Sequence, residues 1–326
     1  MSVIVPAYNS GPTIERCLRA LRAQQAEVPF EVLVVDSGTD DTASIAERVM
    51  PEARVIRLKR RALAAESRNV GARLARGDVF AFLDSDAYVD RDWIANAVRA
   101  AESGFDLVCG SVENANPSSA VGRAEQLLMF NEFLPDLPAR PSWFALSGNM
   151  VMSRSSYARF GPFVPVRAAE DVVFSRRLVT AGGSILFFPA LRMFHDNRVR
   201  VWPYLKNQFV IGRHTLLARR TVPFADTSRY WPVVLALPLF PLVKLAKIAG
   251  RMLVRSPRHL VRLAREFPML VLGISAYSAG MAAGVVSRRP EMAAEEHGAT
   301  RARVAGDTAR MTSELVAGDE SHELIA

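Results

Sequence analysis

Cysteine is scarce in this 326-residue chain, and two common nucleotide-binding motifs are missing from it. Cys17 and Cys109 lie far apart among apolar residues, which favours buried thiols in a reducing compartment over a disulfide framework. No G-x-x-x-x-G-K-[ST] occurs, which excludes a P-loop, and no G-x-G-x-x-G follows the first predicted strand, which argues against a dinucleotide-binding Rossmann domain. Any phosphate binding must therefore come from metal ions and cationic side chains.

The chain also has no basic segment followed by an apolar one at its start, as a secretory signal would have. Its first residues instead have the pattern of a buried strand that runs into a turn, SVIVPAYN. We therefore expect the catalytic part to stay in the cytoplasm. No internal repeat is visible, and half of the residues are apolar, which is enough for a sizeable core.

Positive charge predominates, but it is distributed unevenly. The formal net charge is +8, yet Glu291–Ala326 holds eight acidic residues against three arginines, so the preceding part carries about +13. Such a basic body predicts a polyanionic partner: nucleic acid, anionic lipid or a phosphorylated substrate. The arginines cluster beside apolar segments without interleaved aromatic platforms, which argues against nucleic acid.

The first 191 residues alternate short apolar runs with amphipathic segments. This pattern predicts an α/β fold whose sheet is mostly parallel, covered by helices on both faces, and binds ligands at the carboxyl ends of its strands. The predicted strands are Val3–Ala7, Phe30–Asp36, Ala53–Leu58 and Asp78–Asp84. The predicted helices are Thr13–Gln24, with Thr13 as N-cap, Thr42–Val49 and Ala62–Ala75.

Polar side chains follow three of these strands. Tyr8 could stack on a base and Asp36 could accept hydrogen bonds from a ribose, although turns favour such residues anyway. Asp84 and Asp86 follow the fourth strand, and on extended backbone the two carboxylates would point to one side. There they could hold a divalent cation together with a diphosphate. A lone D-x-D triplet also occurs in many solvated loops.

A second acidic pair, Glu170 and Asp171, precedes the amphipathic run VVFSRRLV. The dipole of a helix stabilises acids in its first turn, so simple capping explains one of them. A general base would instead project into a cleft, near the hydroxyl group of an acceptor.

Taken in order, these segments resemble the family 2 glycosyltransferases, in particular membrane-associated bacterial members. The resemblance covers about residues 2–213. It depends on five segments: VIVPAYN, EVLVVDSGTDDTA, RNVGARLARGDVFAFLDSDAYVDRDWI, SGNMVMSR and AEDVVFSRRL. It implies a GT-A fold (a Rossmann-like, mostly parallel mixed sheet with helices on both faces), and a nucleotide-sugar donor with Mg²⁺ or Mn²⁺ as cofactor.

The resemblance also implies roles for individual residues. Those that hold the base and ribose are Pro6, Ala7, Tyr8 and Asp36, with Arg68 near the diphosphate. Those that match the metal motif are Asp84 and Asp86, with His195 as a further metal contact that could equally be structural. Asp171 matches the base of inverting members, with Glu170 beside it. The segment NQFVIGR resembles a Q-x-x-x-G-R element that borders the acceptor.

The implied reaction is an in-line displacement with inversion, in which Asp171 takes the proton of the attacking hydroxyl. Two alternatives stay open. A sugar nucleotidyltransferase would need a basic, glycine-rich loop early in the chain, which YNSGP does not provide. A non-catalytic membrane protein on a degenerate transferase fold is opposed by the retained Asp84, Asp86 and Asp171.

The C-terminal third predicts attachment to a membrane. WPVVLALPLFPLV is too short for a span, and the basic residues that follow are spaced for one stripe along an interfacial helix: Lys244, Lys247, Arg251, Arg255, Arg258, Arg262 and Arg265. Apolar residues would oppose this stripe: Leu245, Ile248, Leu253, Leu260 and Leu263. Phe267–Val286 is long enough to span or re-enter a bilayer.

These patterns predict three regions: a GT-A domain at 1–227, membrane-associated helices at 228–290, and an acidic tail at 291–326 without stable structure. We expect a cell-membrane protein with its catalytic domain in the cytoplasm. Its acceptor would be a glycan or a lipid, in the biosynthesis of cell-envelope glycans.

Overall fold

Alternating strands and helices form the first half of the fold, as the sequence predicts. The computed structural model describes residues 1–221, 234–255, 257 and 259–287. The first four strands are β1 (Ser2–Ala7), β2 (Glu31–Asp36), β3 (Arg54–Arg57) and β4 (Val79–Leu83). The helices between them are α1 (Gly11–Arg22), α2 (Thr42–Val49) and α3 (Ala64–Leu74). Each strand is apolar because both faces of the sheet are covered by helices.

The start of α1 differs from the prediction. The helix begins at Gly11, with Ser10 in the N-cap position and a proline in its first turn, so Thr13 lies inside it. Proline fits there because its fixed φ suits a helix and its missing N–H costs no hydrogen bond. The Thr13 hydroxyl donates to the carbonyl of Ser10 instead of capping the helix.

Within the described residues the sheet has nine strands and is mixed. The remaining strands are β5 (Ala87–Val89), β6 (Leu107–Asn114), β7 (Arg140–Ser142), β8 (Asn149–Ser153) and β9 (Ile185–His195). Their order is β3-β2-β1-β4-β8-β6-β9-β5, with β7 paired to β9. β1 to β4 are parallel, whereas β8 runs antiparallel to both β4 and β6. The predicted parallel arrangement therefore holds for the first half of the sheet.

Further helices cover the second half of the sheet and lead to the C-terminal region. They are α4 (Trp93–Ala101), α5 (Ala120–Phe130), α6 (Arg154–Phe160), α7 (Glu170–Thr180) and α8 (Val201–Thr221). The C-terminal helices are α9 (Phe240–Arg255), α10 (His259–Arg265) and α11 (Phe267–Val286).

Helix α11 packs closely along α8. A Cβ atom added to Gly280 would lie 2.0 Å from the carbonyl oxygen of Phe209, and one added to Gly212 would lie 2.0 Å from that of Tyr277. The glycines therefore permit backbone contact between the two helices, as small residues do in other close helix pairs. By length and composition α11 is the one described helix that could cross a membrane, and 39% of its most apolar window is buried.

The exposed face of α9 is largely apolar, which corrects part of the predicted arrangement. Leu242, Leu253 and Val254 are 67%, 61% and 81% exposed. Lys244 and Arg251 face the protein instead: the Lys244 ammonium lies 3.6 Å from the centre of the Tyr277 ring, and Arg251 pairs with Glu132 at 2.9 Å. Two members of the predicted basic stripe therefore have partners in the fold, whereas Lys247, Arg262 and Arg265 are exposed as predicted.

Some predictions fall outside the described residues. These are the start of the apolar segment at 231–233, Arg258 and the acidic tail at 291–326. The boundary predicted at residue 227 also lies there.

Candidate active site

A cleft of about 670 Å³ opens at the carboxyl ends of β1 and β4. Its walls come from the turn after β1, the start of α3, the turn after β4, the start of α7 and the end of β9. Nine of the predicted site residues line it: Pro6, Ala7, Tyr8, Arg68, Asp84, Asp86, Glu170, Asp171 and His195. The cleft therefore brings together residues that are up to 189 positions apart in the chain, from Pro6 to His195.

Arg68 joins two acidic segments beneath the cleft. Its side chain is 2% exposed, and its guanidinium contacts the carboxylates of Asp84 at 2.6 Å and Glu170 at 3.0 Å. Burial disfavours the cation, but Asp84 and Glu170 outweigh that cost and raise the pKa of Arg68. The arginine thereby fixes the start of α7 relative to the end of β4. Its part in binding a diphosphate stays a prediction.

Asp84 and Asp86 lie in a turn between β4 and β5, not on the extended backbone that we predicted. The amide of Ala87 donates to the Asp84 carbonyl at 3.2 Å. As a result the two carboxylates have different partners, since Asp84 binds Arg68 and Asp86 faces His195. Gly148 makes room for Asp84: a Cβ atom there would lie 2.1 Å from a carboxylate oxygen of Asp84.

The hydrogen bonds of Asn197 determine the tautomer of His195. The Asn197 amide nitrogen donates to Asn114 at 3.0 Å, Gln126 at 3.1 Å and the carbonyl of Gly122 at 3.1 Å. Its amide oxygen therefore faces His195 Nδ1, at 2.8 Å, and accepts a hydrogen bond from the Nδ1–H group. The neutral ring is then left with an unprotonated Nε2, which lies 3.6 Å from Asp86 Oδ2.

This pair suits a divalent cation. Two acceptors, the Asp86 carboxylate and His195 Nε2, face one another, and a fixed hydrogen bond at the other ring nitrogen is the usual support of a metal-binding histidine. Burial and the charge of Asp84 raise the pKa of Asp86, while His195 acts in the opposite direction. Among the described residues no three His, Cys, Asp or Glu side chains are grouped to hold a metal ion. A cation held by this pair would take further ligands from substrate oxygens or water, as Mg²⁺ commonly does.

Asp171 is an acid of the site with a strongly raised pKa. Burial, and then the neighbouring charge of Glu170, raise the pKa of Asp171 to about 7. Its Oδ1 accepts a hydrogen bond from the Val172 amide at 2.7 Å in the first turn of α7. A carboxylate of this pKa can accept a proton near neutral pH, whereas Glu170 is engaged by Arg68.

The predicted base-binding residues form one end of the cleft, with one exception. Pro6, Ala7 and Tyr8 line it, and the exposed ring of Tyr8 has the Arg61 guanidinium 4.5 Å from its centre. Asp36 is buried behind this wall, where it accepts from the Gly38 amide at 2.9 Å, and burial raises its pKa. The structure thus places Asp36 at the carboxyl-end edge of the sheet, as predicted, but not on the surface of the cleft.

Sequence reasoning missed Asn197, Arg198 and Glu125. Arg198 lines the cleft, and its guanidinium lies 2.8 Å from the buried Glu125 carboxylate. Glu125 also accepts from Asn207, which lines the cleft with Ile211 and belongs to the predicted acceptor-side segment NQFVIGR. No local pattern could have paired Glu125 with Arg198, because the two residues are 73 positions apart.

Known proteins resemble this chain in sequence and in fold. The profile of "Glycosyl transferase family 2" matches residues 2–161. The glycosyltransferase AglE of Haloferax volcanii is 29% identical over 223 residues, which are 65% of this chain and 72% of AglE. The succinoglycan biosynthesis protein ExoO of Rhizobium meliloti is 33% identical over 199 residues, which are 60% of this chain but 53% of ExoO.

A solved structure extends the likeness beyond the matched segment. The mannosyltransferase PcManGT from Pyrobaculum calidifontis, solved in complex with GDP-Man and Mn²⁺, superposes with a TM-score of 0.58 at 20% identity. The superposition covers 86% of each chain. At this identity the likeness concerns the fold, and the sheet, its helices and the profile match agree. The chain therefore belongs to glycosyl transferase family 2, has the GT-A fold and is a glycosyltransferase.

Proposed function

We propose that this glycosyltransferase moves a sugar from a nucleoside diphosphate sugar to a hydroxyl group of a lipid or lipid-linked glycan, with inversion at the anomeric carbon. The observation that carries the proposal is the content of the cleft. It combines the Asp86–His195 pair with Asp171, a carboxylate of near-neutral pKa. The Asp86–His195 pair suits a charged leaving group, and Asp171 suits the proton of an acceptor hydroxyl.

The donor side is formed by Tyr8, Asp86 and His195. PcManGT has the same fold and was solved with GDP-Man and Mn²⁺, which supports a nucleotide-sugar donor and a divalent cation here. Asp86 and His195 would hold Mg²⁺ or Mn²⁺ in this chain. Such a cation supplies positive charge that stabilises a departing nucleoside diphosphate.

The acceptor side is formed by Asp171. Its carboxylate would accept the proton as the acceptor oxygen bonds to the anomeric carbon and the bond from that carbon to the diphosphate oxygen breaks. Arg68 holds Glu170 and so sets the position of the α7 N-terminus that carries Asp171. One displacement of this kind inverts the anomeric configuration.

Exposed apolar residues on the C-terminal helices support attachment to a membrane. Leu239, Leu242, Leu253, Val254 and Val261 are each at least 60% exposed, a density of apolar side chains that marks an interaction surface. Their position on α9, α10 and the 3₁₀ turn before α9 (Leu237–Leu239) suits insertion into one leaflet.

Helix α11 would stay with the catalytic domain instead of crossing the bilayer. It packs along α8, which carries Lys206, Asn207 and Arg213. A span at α11 would draw these polar residues toward the hydrocarbon, at a cost of several kcal/mol. We therefore place the enzyme on the cytoplasmic face of the cell membrane, acting in the biosynthesis of cell-envelope glycans. The name of ExoO, a succinoglycan biosynthesis protein, supports this setting.

Calorimetric titration with UDP and GDP, with and without Mn²⁺, tests the donor site. We expect one nucleotide to bind in a Mn²⁺-dependent manner, and Asp86→Ala to weaken that binding at least tenfold. Asp78→Ala removes a carboxylate that is 99% exposed and serves as the matched control. Absence of nucleotide binding by a folded sample would refute the proposal and favour a degenerate transferase fold.

Vesicle flotation tests the membrane surface. Leu242→Asp and Val254→Asp should each reduce co-flotation with vesicles that contain phosphatidylglycerol. Val179→Asp on α7 places the same charge at a partly exposed valine of the catalytic domain and should have no effect. Equal flotation of all variants would contradict the assignment of this surface.

A further inference from the structure

A second cavity adjoins the catalytic cleft on the side of the C-terminal helices. It measures about 230 Å³ and lies between α9 and the end of α5. Three cationic side chains line it, Lys244, Lys247 and Arg251, together with apolar residues that include Phe240 and Val243. Basic side chains around an apolar hollow fit a ligand that has an anionic group and a hydrocarbon part.

The positive charge of this cavity is only partly balanced. Arg251 pairs with Glu132 at 2.9 Å, and Glu132 is the one carboxylate that the described residues contribute to the cavity wall. Among the residues that the structure describes, no carboxylate forms an ion pair with Lys244 or Lys247. Burial, and then the charge of Arg251, lower the pKa of Lys244 to about 8. A bound anion would supply the negative charge that Lys244 and Lys247 do not receive from a neighbouring carboxylate.

Lys244 is held in place by aromatic rings. Its ammonium lies 3.6 Å from the centre of the Tyr277 ring and 6.0 Å from that of Phe240, and these two rings stack at 5.6 Å. Cation–π contacts of this kind orient an ammonium without neutralising its charge. The lysine is therefore positioned in advance for an anion, and phosphate oxygens are suitable partners for such a compact charge.

The surroundings of the cavity connect it with both the membrane surface and the catalytic cleft. Val243 lines the cavity and belongs, with Leu242, to the exposed apolar face of α9. Met129 lines both the cavity and the catalytic cleft, so the two spaces share a wall. A ligand with its chain in the bilayer could therefore place phosphate on the lysines and direct an attached sugar past Met129.

We propose that Lys244 and Lys247 bind the phosphate groups of a lipid diphosphate-linked acceptor, whose sugar hydroxyl enters the catalytic cleft beside Met129. This inference rests on the proposed transferase function and names the acceptor class for it. The phosphates stay on the lipid throughout the reaction. The acceptor hydroxyl gives its proton to Asp171, its oxygen bonds to the anomeric carbon, and the bond from that carbon to the donor's diphosphate breaks.

The low number of lysines makes the proposal directly testable. The chain has four, Lys59, Lys206, Lys244 and Lys247, so reductive ¹³C-methylation gives four lysine signals that can be assigned with Lys→Arg variants. In metal-free detergent solution, farnesyl diphosphate should shift the Lys244 and Lys247 signals saturably and leave the exposed Lys59 and Lys206 in place. Farnesol should shift none, and pyrophosphate should need at least tenfold higher concentration. Uniform shifts of all four, or equal affinity for pyrophosphate, would overturn the proposal.

Variants separate this inference from the donor site. Lys247→Gln, at an exposed position, should weaken farnesyl diphosphate binding several-fold, and the double variant with Lys244→Gln at least tenfold. Lys206→Gln is the control, and unchanged thermal midpoints show that the variants fold. Mn²⁺-dependent nucleotide binding should stay within twofold of the parent. Normal nucleotide binding with unaltered farnesyl diphosphate affinity would refute the lysine site alone, whereas loss of nucleotide binding by the parent protein would refute the proposed function.

Discussion

Replacing Asp171 with asparagine should stabilise the fold at high pH, even though it removes the proposed base. The folded protein raises the pKa of Asp171 from 3.8 to about 7, through burial and the charge of Glu170. Ionising this carboxyl in the folded state is therefore unfavourable. Below pH 4 Asp171 is protonated in both the folded and the unfolded protein, so its titration does not change the free energy of unfolding. Between pH 4 and 7 it ionises in the unfolded protein alone, which lowers that free energy. The stability that protonation gives the fold is thus fully lost above pH 7.

The size of the effect follows from the pKa difference. About three pKa units correspond to roughly 4 kcal/mol. Asp171 retains some contact with solvent, so about 2 kcal/mol is a realistic value. In a domain of this size that is a rise in the thermal midpoint of roughly 4–8 °C for Asp171→Asn above pH 8. The asparagine oxygen can still accept from the Val172 amide, so that bond does not contribute.

Thermal unfolding in EDTA-containing buffers from pH 4 to pH 9 measures this effect. The midpoint of Asp171→Asn minus that of the parent should grow between pH 4 and 7 and then level off. Asp78→Asn, at a fully exposed carboxylate, is the control and should show no such rise. A difference that is the same at every pH would refute the argument. Transfer activity of Asp171→Asn should fall by a factor of about 10²–10⁴.

Three further substitutions test contacts that hold the fold and the site together. Arg68→Met leaves Asp84 and Glu170 without their shared cation, and should lower the free energy of unfolding in urea by about 3–5 kcal/mol; a loss below 1 kcal/mol would contradict the bridge. Gly280→Leu should release α11 from α8 and speed tryptic cleavage, whereas Gly250→Leu, with open space around it, should not. Asn197→Ala removes the acceptor for His195 Nδ1 and should weaken Mn²⁺-dependent nucleotide binding 10–100-fold. Unchanged Mn²⁺ dependence would show that the tautomer is irrelevant.

Local pattern was sufficient for the first half of the fold. The four strands from Ser2 to Leu83 and the three helices between them lie within two residues of their predicted bounds, because continuous apolar strands and amphipathic helices produce distinct periodicities. The family resemblance, which depended on short segments in a fixed order, is confirmed by the profile match to residues 2–161. The start of α1 was wrong by two residues, since Ser10 precedes a Gly-Pro pair that begins the helix.

The sequence by itself determined the family, the α/β architecture and the chemical types at the site, because these depend on local residue patterns. Only the tertiary structure decided which charges meet. Arg68 and Glu170 are 102 positions apart, and no periodicity links them. The orientation of α9 was decided in the same way: two of its basic residues, Lys244 and Arg251, looked exposed in sequence, but they contact Tyr277 and Glu132 on the inner side. Leu242, Leu253 and Val254 are left on the outer side of α9, while Ile248 and Met252 pack into the core.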